Sequence, residues 1–209
     1  MKNLLISIVL FTCNITFGQN YTSIYGGINY GLRKGVRDYL NHYNLNNNKL
    51  MPSVNVIIEQ SICEIDDFIT SAEGNFNYLS LTKSNSYLLN YQLEIFKFGA
   101  DFILKKPYSP NIYYGIGLGY NIFLFDQTIT YSLNKKQKAK TDGFEVIILS
   151  DLVASNDEDN TFSLLVSPRL RFNFAKILKI SSPFPTLLAQ NLEVNLNNFS
   201  IELNFGIRF

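Results

Sequence analysis

Asn198-Phe199-Ser200-Ile201-Glu202-Leu203-Asn204-Phe205-Gly206-Ile207-Arg208-Phe209 is the stretch on which the fold turns. Every second residue, from Phe199 to Phe209, is apolar, and those between them are polar, charged or glycine. Successive side chains of a strand point to opposite faces, so this is a strand with one uniformly apolar side. An aromatic residue closes the alternation, with no polar tail after it.

The same rhythm recurs upstream. Thr22, Ile24, Gly26, Ile28, Tyr30 and Leu32 alternate with polar residues and glycine. Ile112, Tyr114, Ile116, Leu118, Tyr120 and Ile122 alternate with Tyr113, Gly115, Gly117, Gly119 and Asn121. That glycine run lacks the spacing of a phosphate loop, and its strict alternation makes it a small-residue stripe on the polar face. Phe162 to Phe172 repeats the pattern with Ser163, Ser167, Arg169, Arg171 and Asn173 turned the other way, and Pro168 predicts a bulge or gap in its ladder. Further strands are expected at about 54–64, 72–82, 87–104 and 144–153. In the fourth, Tyr91, Leu93 and Ile95 have one parity and Phe96, Phe98 and Phe102 the other, which predicts a bulge near Ile95–Phe96. Between the first two strands, Val36, Tyr39, Leu40 and Tyr43 fall on one helical face. Residues 134–143 are basic and read as a loop.

Composition agrees with strands. Of 209 residues 14% are aromatic, with one His, two Cys and no Trp, and mean hydropathy is near zero. No apolar run reaches the roughly 20 residues of a membrane helix. Residues 1–18 read as a signal peptide, with Lys2, an apolar run from Leu4 to Phe11, and small residues at Thr16 and Gly18. Bulky Phe11 and Thr12 before Cys13 fit a lipidation site poorly. Removing the signal leaves Cys63 alone, so no internal disulfide forms. It also leaves 17 basic against 17 acidic residues, which does not favour nucleic acid. The remainder, 19–209, is one domain. Eight strands make an all-β, eight-stranded antiparallel up-and-down transmembrane β-barrel, with short turns at the periplasmic end and long loops outside.

The mature chain resembles the small outer-membrane β-barrels of Gram-negative bacteria, the OmpA-type barrel domains, and within them the PorT-like barrels. The resemblance rests on Gly26-Gly27-Ile28-Asn29, Asp38-Tyr39-Leu40-Asn41 and Leu203-Asn204-Phe205-Gly206-Ile207-Arg208-Phe209. It implies location in the outer membrane and insertion by the barrel-assembly machinery, with Phe205, Ile207 and Phe209 as the insertion signal. It implies no catalytic motif.

The inward face is expected to collect Arg169, Arg171, Arg208 and Glu202, with Glu59, Glu145 and Asp151 by parity. Charges in a narrow barrel are paired or wet, so these form a structural plug, or a selectivity ring if the lumen conducts. Basic loops at one end suit the phosphates of lipopolysaccharide. The acidic turn 156–160 lacks the ligand spacing of a dedicated calcium site. His42 and Asp38 could pair on a helix near Ser53, as in a lipid-modifying enzyme at the outer rim, but Ser53 has no nucleophile motif around it. The expected protein is therefore a non-enzymatic outer-membrane barrel with no cofactor or metal. Its partners are the bilayer, lipopolysaccharide and an unspecified protein. A narrow pore and a soluble lipocalin-like barrel are the remaining alternatives. A charge at Ile207 is expected to damage the barrel more than one at Ser200.

Overall fold

The computed structural model describes residues 21–31, 34–42, 51–65, 67–85, 89–130, 134–155, 162–181 and 191–209. The signal-peptide reading of residues 1–18 and the acidic turn 156–160 lie outside them. The elements are β1 Thr22–Gly31, helix α1 Lys34–His42, β2 Met51–Ile65, β3 Phe68–Asn85, β4 Leu89–Ser109, β5 Ile112–Thr130, β6 Asn134–Ser155, β7 Ser163–Ala175, β8 Leu178–Ser181, β9 Asn191–Val194 and β10 Asn198–Arg208. Strands β1 to β7 and β10 form one closed antiparallel barrel in chain order, and β8–β9 is a separate hairpin. The seam closes between the first and last strands. Thr22 N donates to Phe209 O at 3.2 Å and Phe209 N to Thr22 O at 2.9 Å.

The register fixes the barrel's width. From Ile24, pairing through β2, β3, β4 and β5 leads to Phe144 on β6, whereas pairing through β10 and β7 leads to Ala154. One circuit thus displaces the chain by ten residues. With eight strands, that shear corresponds to a tilt of about 40° and a radius of about 8 Å, which side chains can fill.

Outside, Ile24, Ile28, Val54, Val56, Ile58, Ile116, Leu118, Ile148, Leu164, Ile201 and Leu203 are all exposed. At one edge of this band the ring pairs Tyr78–Phe96, Tyr120–Phe144 and Phe172–Phe199 meet tilted or edge-on, with centres 5.0–5.4 Å apart. At the other stand Phe68, Tyr108, Tyr114, Phe162 and Phe209. The ten steps from Phe199 to Phe209, tilted about 40°, rise about 25 Å, the height of a lipid-facing band. Both strand ends Thr22 and Phe209 and the tight turn at Pro110–Asn111 lie at one end of the barrel.

The expected bulge at Ile95–Phe96 does not occur. β4 holds one register against β5 from Asn90 to Pro107, and Tyr91, Leu93 and Ile95 point inward while Phe96, Phe98 and Phe102 point out. Both faces are apolar because β3 to β6 run on past the band as a four-stranded wall with a core of its own. Leu79, Tyr91, Leu93, Ile95, Phe123 and Phe125 on that wall pack with Val36 and Leu40 of α1 and with Leu178, Val194 and Leu196 around the hairpin. Residues 134–143, expected as a loop, belong to this wall: Lys136, Lys138 and Lys140 point out, and the segment pairs with β5 residues 121–130. Register shifts lie instead at Ile62, between the Ser61↔Ser71 and Cys63↔Thr70 pairs, and at Tyr108 near the end of β4, between Pro107↔Tyr113 and Ser109↔Ile112. Opposite Pro168 the β6–β7 ladder lapses between Leu149↔Arg169 and Leu152↔Val166 without changing register.

Helix α1 is seated by a close backbone approach. A Cβ on Gly35 would overlap the backbone of Asn195. Gly35→Val should therefore lift α1 off the hairpin and expose Lys34 and Arg37 to trypsin. The barrel itself, read by heat-modifiable migration on a gel, should be unchanged.

Candidate functional site

Ten charged side chains fill the lumen as one connected network. Arg171 lies at its centre. Its Nε donates to Glu202 Oε2 at 2.9 Å, its Nη1 to Asp101 Oδ2 at 2.9 Å and Glu145 Oε1 at 2.8 Å, and its Nη2 to Glu73 Oε1 at 2.6 Å. Lys97 Nζ donates to the other oxygen of Glu145 at 2.6 Å. Glu73 links onward, its second oxygen accepting from Arg169 Nη1. Arg169 lies 3.9 Å from Glu59 and stacks on the Tyr25 ring at 4.9 Å. Lys105 joins Glu59, at 2.6 Å, to Asp151. Tyr25 Oη donates to Glu59 at 3.0 Å, and Ser167 Oγ to Asp151 at 2.5 Å.

All ten are buried, and six are carboxylates against four cations. The field of the cations and a dense set of amide donors hold these carboxylates: Asn29 donates to Glu202 at 2.6 Å and Asn75 to Asp101 at 2.6 Å. β5 gives no charge to the network but gives it room. Its inward Gly115, Gly117 and Gly119 are the direct register partners of Lys105, Ile103 and Asp101. A Cβ on Gly119 would overlap the Asp101 carboxylate, so the close approach requires glycine there. The stripe thus accommodates side chains of β4, its neighbour, rather than the arginine stems of β7.

The structure brings Arg169, Arg171 and Glu202 together and sets Arg208 apart. Arg208 lies at the mouth where Thr22 and Phe209 meet, its guanidinium 3.9 Å from the Tyr21 ring centre and 5.4 Å from that of Tyr113. Phe205, Ile207 and Phe209 all face outward. Glu59, Glu145 and Asp151, placed inside by parity, are in the network. Glu73, Lys97, Asp101 and Lys105 were missed. Their signal was the even spacing of Lys97, Asp101 and Lys105, opposite in parity to Phe96, Phe98 and Phe102. Above the charges, the inward apolar cluster under α1 and the hairpin forms a second layer. Between the layers lies a small cavity with Asn29, Asn77, Lys97, Phe123 and Asn173 in its wall.

Ser53, weighed as a nucleophile, is buried on the inner face of β2, its Oγ donating to Asn29 O at 3.5 Å. Asp38 is exposed on α1, 3.9 Å from Arg37, and the His42 side chain lies outside the described residues. Among the described residues, no group of three or more His, Cys, Asp or Glu has the arrangement of a metal site.

No family model matches the chain, and no curated protein matches it. Among solved structures it is similar to a major outer membrane protein from Thermus thermophilus, with a TM-score of 0.55 at 6% identity over 92% of this chain and 99% of that one. It is also similar to Ail, the attachment invasion locus protein of Yersinia pestis, in complex with the heparin analogue sucrose octasulfate. That match has a TM-score of 0.52 at 10% identity over 92% of this chain and all of the other. Identities this low show the fold alone, and the fold is the expected one: an all-β, eight-stranded antiparallel up-and-down barrel of the transmembrane kind.

Proposed function

We propose that this protein is a non-enzymatic integral barrel of the outer membrane with a lumen closed to ions, which anchors the α1–hairpin cap at the cell surface as a structural or partner-binding element. The observation that carries this reading is the filled lumen: an ionic layer from six of the eight strands, beneath a separate apolar layer. A channel needs a continuous wet path, and a barrel about 8 Å in radius has no room for one beside two arginines and two lysines. The exposed apolar exterior supports membrane insertion over a lipocalin-like barrel, which would carry its apolar face inside. The motifs at Gly26–Asn29, Asp38–Asn41 and Leu203–Phe209 support a place among the PorT-like barrels. The outward row Phe205, Ile207 and Phe209 supports delivery by the barrel-assembly machinery after export through a cleaved signal.

Refolded protein should migrate differently on a gel before and after boiling, because every barrel strand is paired around a closed ring. In planar bilayers it should show no regular single-channel steps. Steady, uniform steps would replace the closed-lumen reading with a pore, and identical migration of boiled and unboiled protein would remove the barrel from the reading altogether.

A further inference from the structure

We infer that the outer wall of β4, β5 and β6 carries a binding site for lipopolysaccharide, which it grips through a lipid A phosphate and an adjoining acyl chain; this deepens the reading above and rests on it. The boundary of the apolar band crosses these strands between Phe96 and Glu94, between Leu124 and Asp126, and between Phe144 and Lys140. Across that boundary lies an open groove of about 300 Å³, lined by Phe96, Leu124, Asp126, Lys138 and Lys140. The register sets Phe96, Leu124 and Lys140 in one row and Glu94, Asp126 and Lys138 in the next row outward. The lower row is therefore aromatic and aliphatic up to the Lys140 ammonium at its β6 end, and the upper row sets the Glu94 and Asp126 carboxylates beside the Lys138 ammonium, so the cationic edge of the groove is its β6 side.

Charge selects the occupant. Lys136, Lys138 and Lys140 follow one another on the outward parity of β6, about 7 Å apart, a repulsive row that an anion relieves. Among the described residues only Lys138 of the three forms an ion pair, with Asp126 at 3.3 Å. One turn of the wall below, Asp142 is already taken by Lys176, at 2.8 Å, and by the Tyr120 hydroxyl, at 2.5 Å. An anion in the groove meets Lys140 without displacing a pair among the described residues, and shares Lys138 with Asp126. A molecule with phosphate at headgroup height and a hydrocarbon chain below it matches both halves, and lipid A has this form. At the opposite end of the barrel Glu64 and Asp67 are exposed, with Lys106 over the Phe68 ring.

The test uses the full chain refolded into phosphatidylcholine nanodiscs, with purified lipid A as the probe and bound lipid counted by native mass spectrometry. Lys138→Gln with Lys140→Gln should weaken lipid A retention about tenfold or more. Removing the phosphates from lipid A should weaken it as much. Lys106→Gln, at the far end over Phe68, should leave it unchanged. Retention by the double variant within about twofold of the parent, or equal retention of phosphatidylglycerol, would overturn the site. Heat-modifiable migration of the same samples reads the barrel independently: folded protein without lipid A preference rejects only the site, whereas unfolded protein rejects the barrel beneath it.

Discussion

Exchanging Arg171 for methionine should cost the refolded barrel at least about 3–5 kcal/mol, the usual toll of removing one partner from a buried ion pair. Methionine keeps the apolar stem up to the position of Nε and ends there, so the packing of the stem is retained while the charge and its hydrogen bonds go. Asp101 and Glu202 have no other ionic partner among the described residues, whereas Glu73 keeps Arg169 and Glu145 keeps Lys97. The damage should therefore concentrate at Asp101 and Glu202. Adding Asp101→Asn and Glu202→Gln to Arg171→Met should restore more than half of the loss, because the stranded charges are gone. The chain has no tryptophan, so the urea midpoint in lipid vesicles is best followed by gel migration or circular dichroism. A single variant within about 1 kcal/mol of the parent would mean that water reaches the network and screens it.

Leu203→Arg should be the most damaging exterior change on β10, at about 2–4 kcal/mol. Leu203 lies near mid-height between Phe199 and Phe209 and is exposed to lipid. Ile207→Arg, one pair of residues from the strand's end, should cost no more than about 1 kcal/mol, since a long basic side chain there reaches the headgroups. Equal costs at the two positions would move the band along the strand. Ser200→Asp, expected from the sequence to be the mild counterpart of a charge at Ile207, should instead be costly, given where Ser200 stands. Ser200 is fully buried beside Glu202, in a lumen that already holds two more carboxylates than cations. Ser200→Ala is the appropriate control.

Strands β1, β7, β10 and the part of β5 from 112 to 122 were legible because each has one apolar face and that face meets one environment. Their inner residues, Arg169, Arg171 and Glu202 among them, followed from parity alone. β3 and β4 defeated the same logic because their environment changes along their length. Inside the band the inner face is charged; beyond it, Tyr91, Leu93 and Ile95 meet α1 and the β8–β9 hairpin. Those partners lie some fifty residues before and a hundred after in the chain, so no local pattern announces them. An apolar face that changes sides along a strand resembles a bulge when only lipid is considered as the apolar medium. That inference hid Lys97, Asp101 and Lys105. The helix, by contrast, was legible at Val36 and Leu40, because the spacing of one buried face is local.

The pairing of Gly115, Gly117 and Gly119 with Lys105, Ile103 and Asp101 has a consequence for how such a barrel can evolve. At each rung the two inward positions share one fixed allotment of volume, which β4 takes whole and β5 leaves empty. Gly27 opposite Asn204 and Gly99 opposite Asn121 repeat the arrangement elsewhere. At 117 and 119 a larger residue would overlap its partner, and at 115 it would press on Lys105, so growth on one side of a rung calls for shrinkage on the other. Sequences descended from a common ancestor should therefore show 101 with 119, 103 with 117, and 105 with 115 changing together and in opposite directions of size, a covariation that reports the register of this wall with no structure in hand.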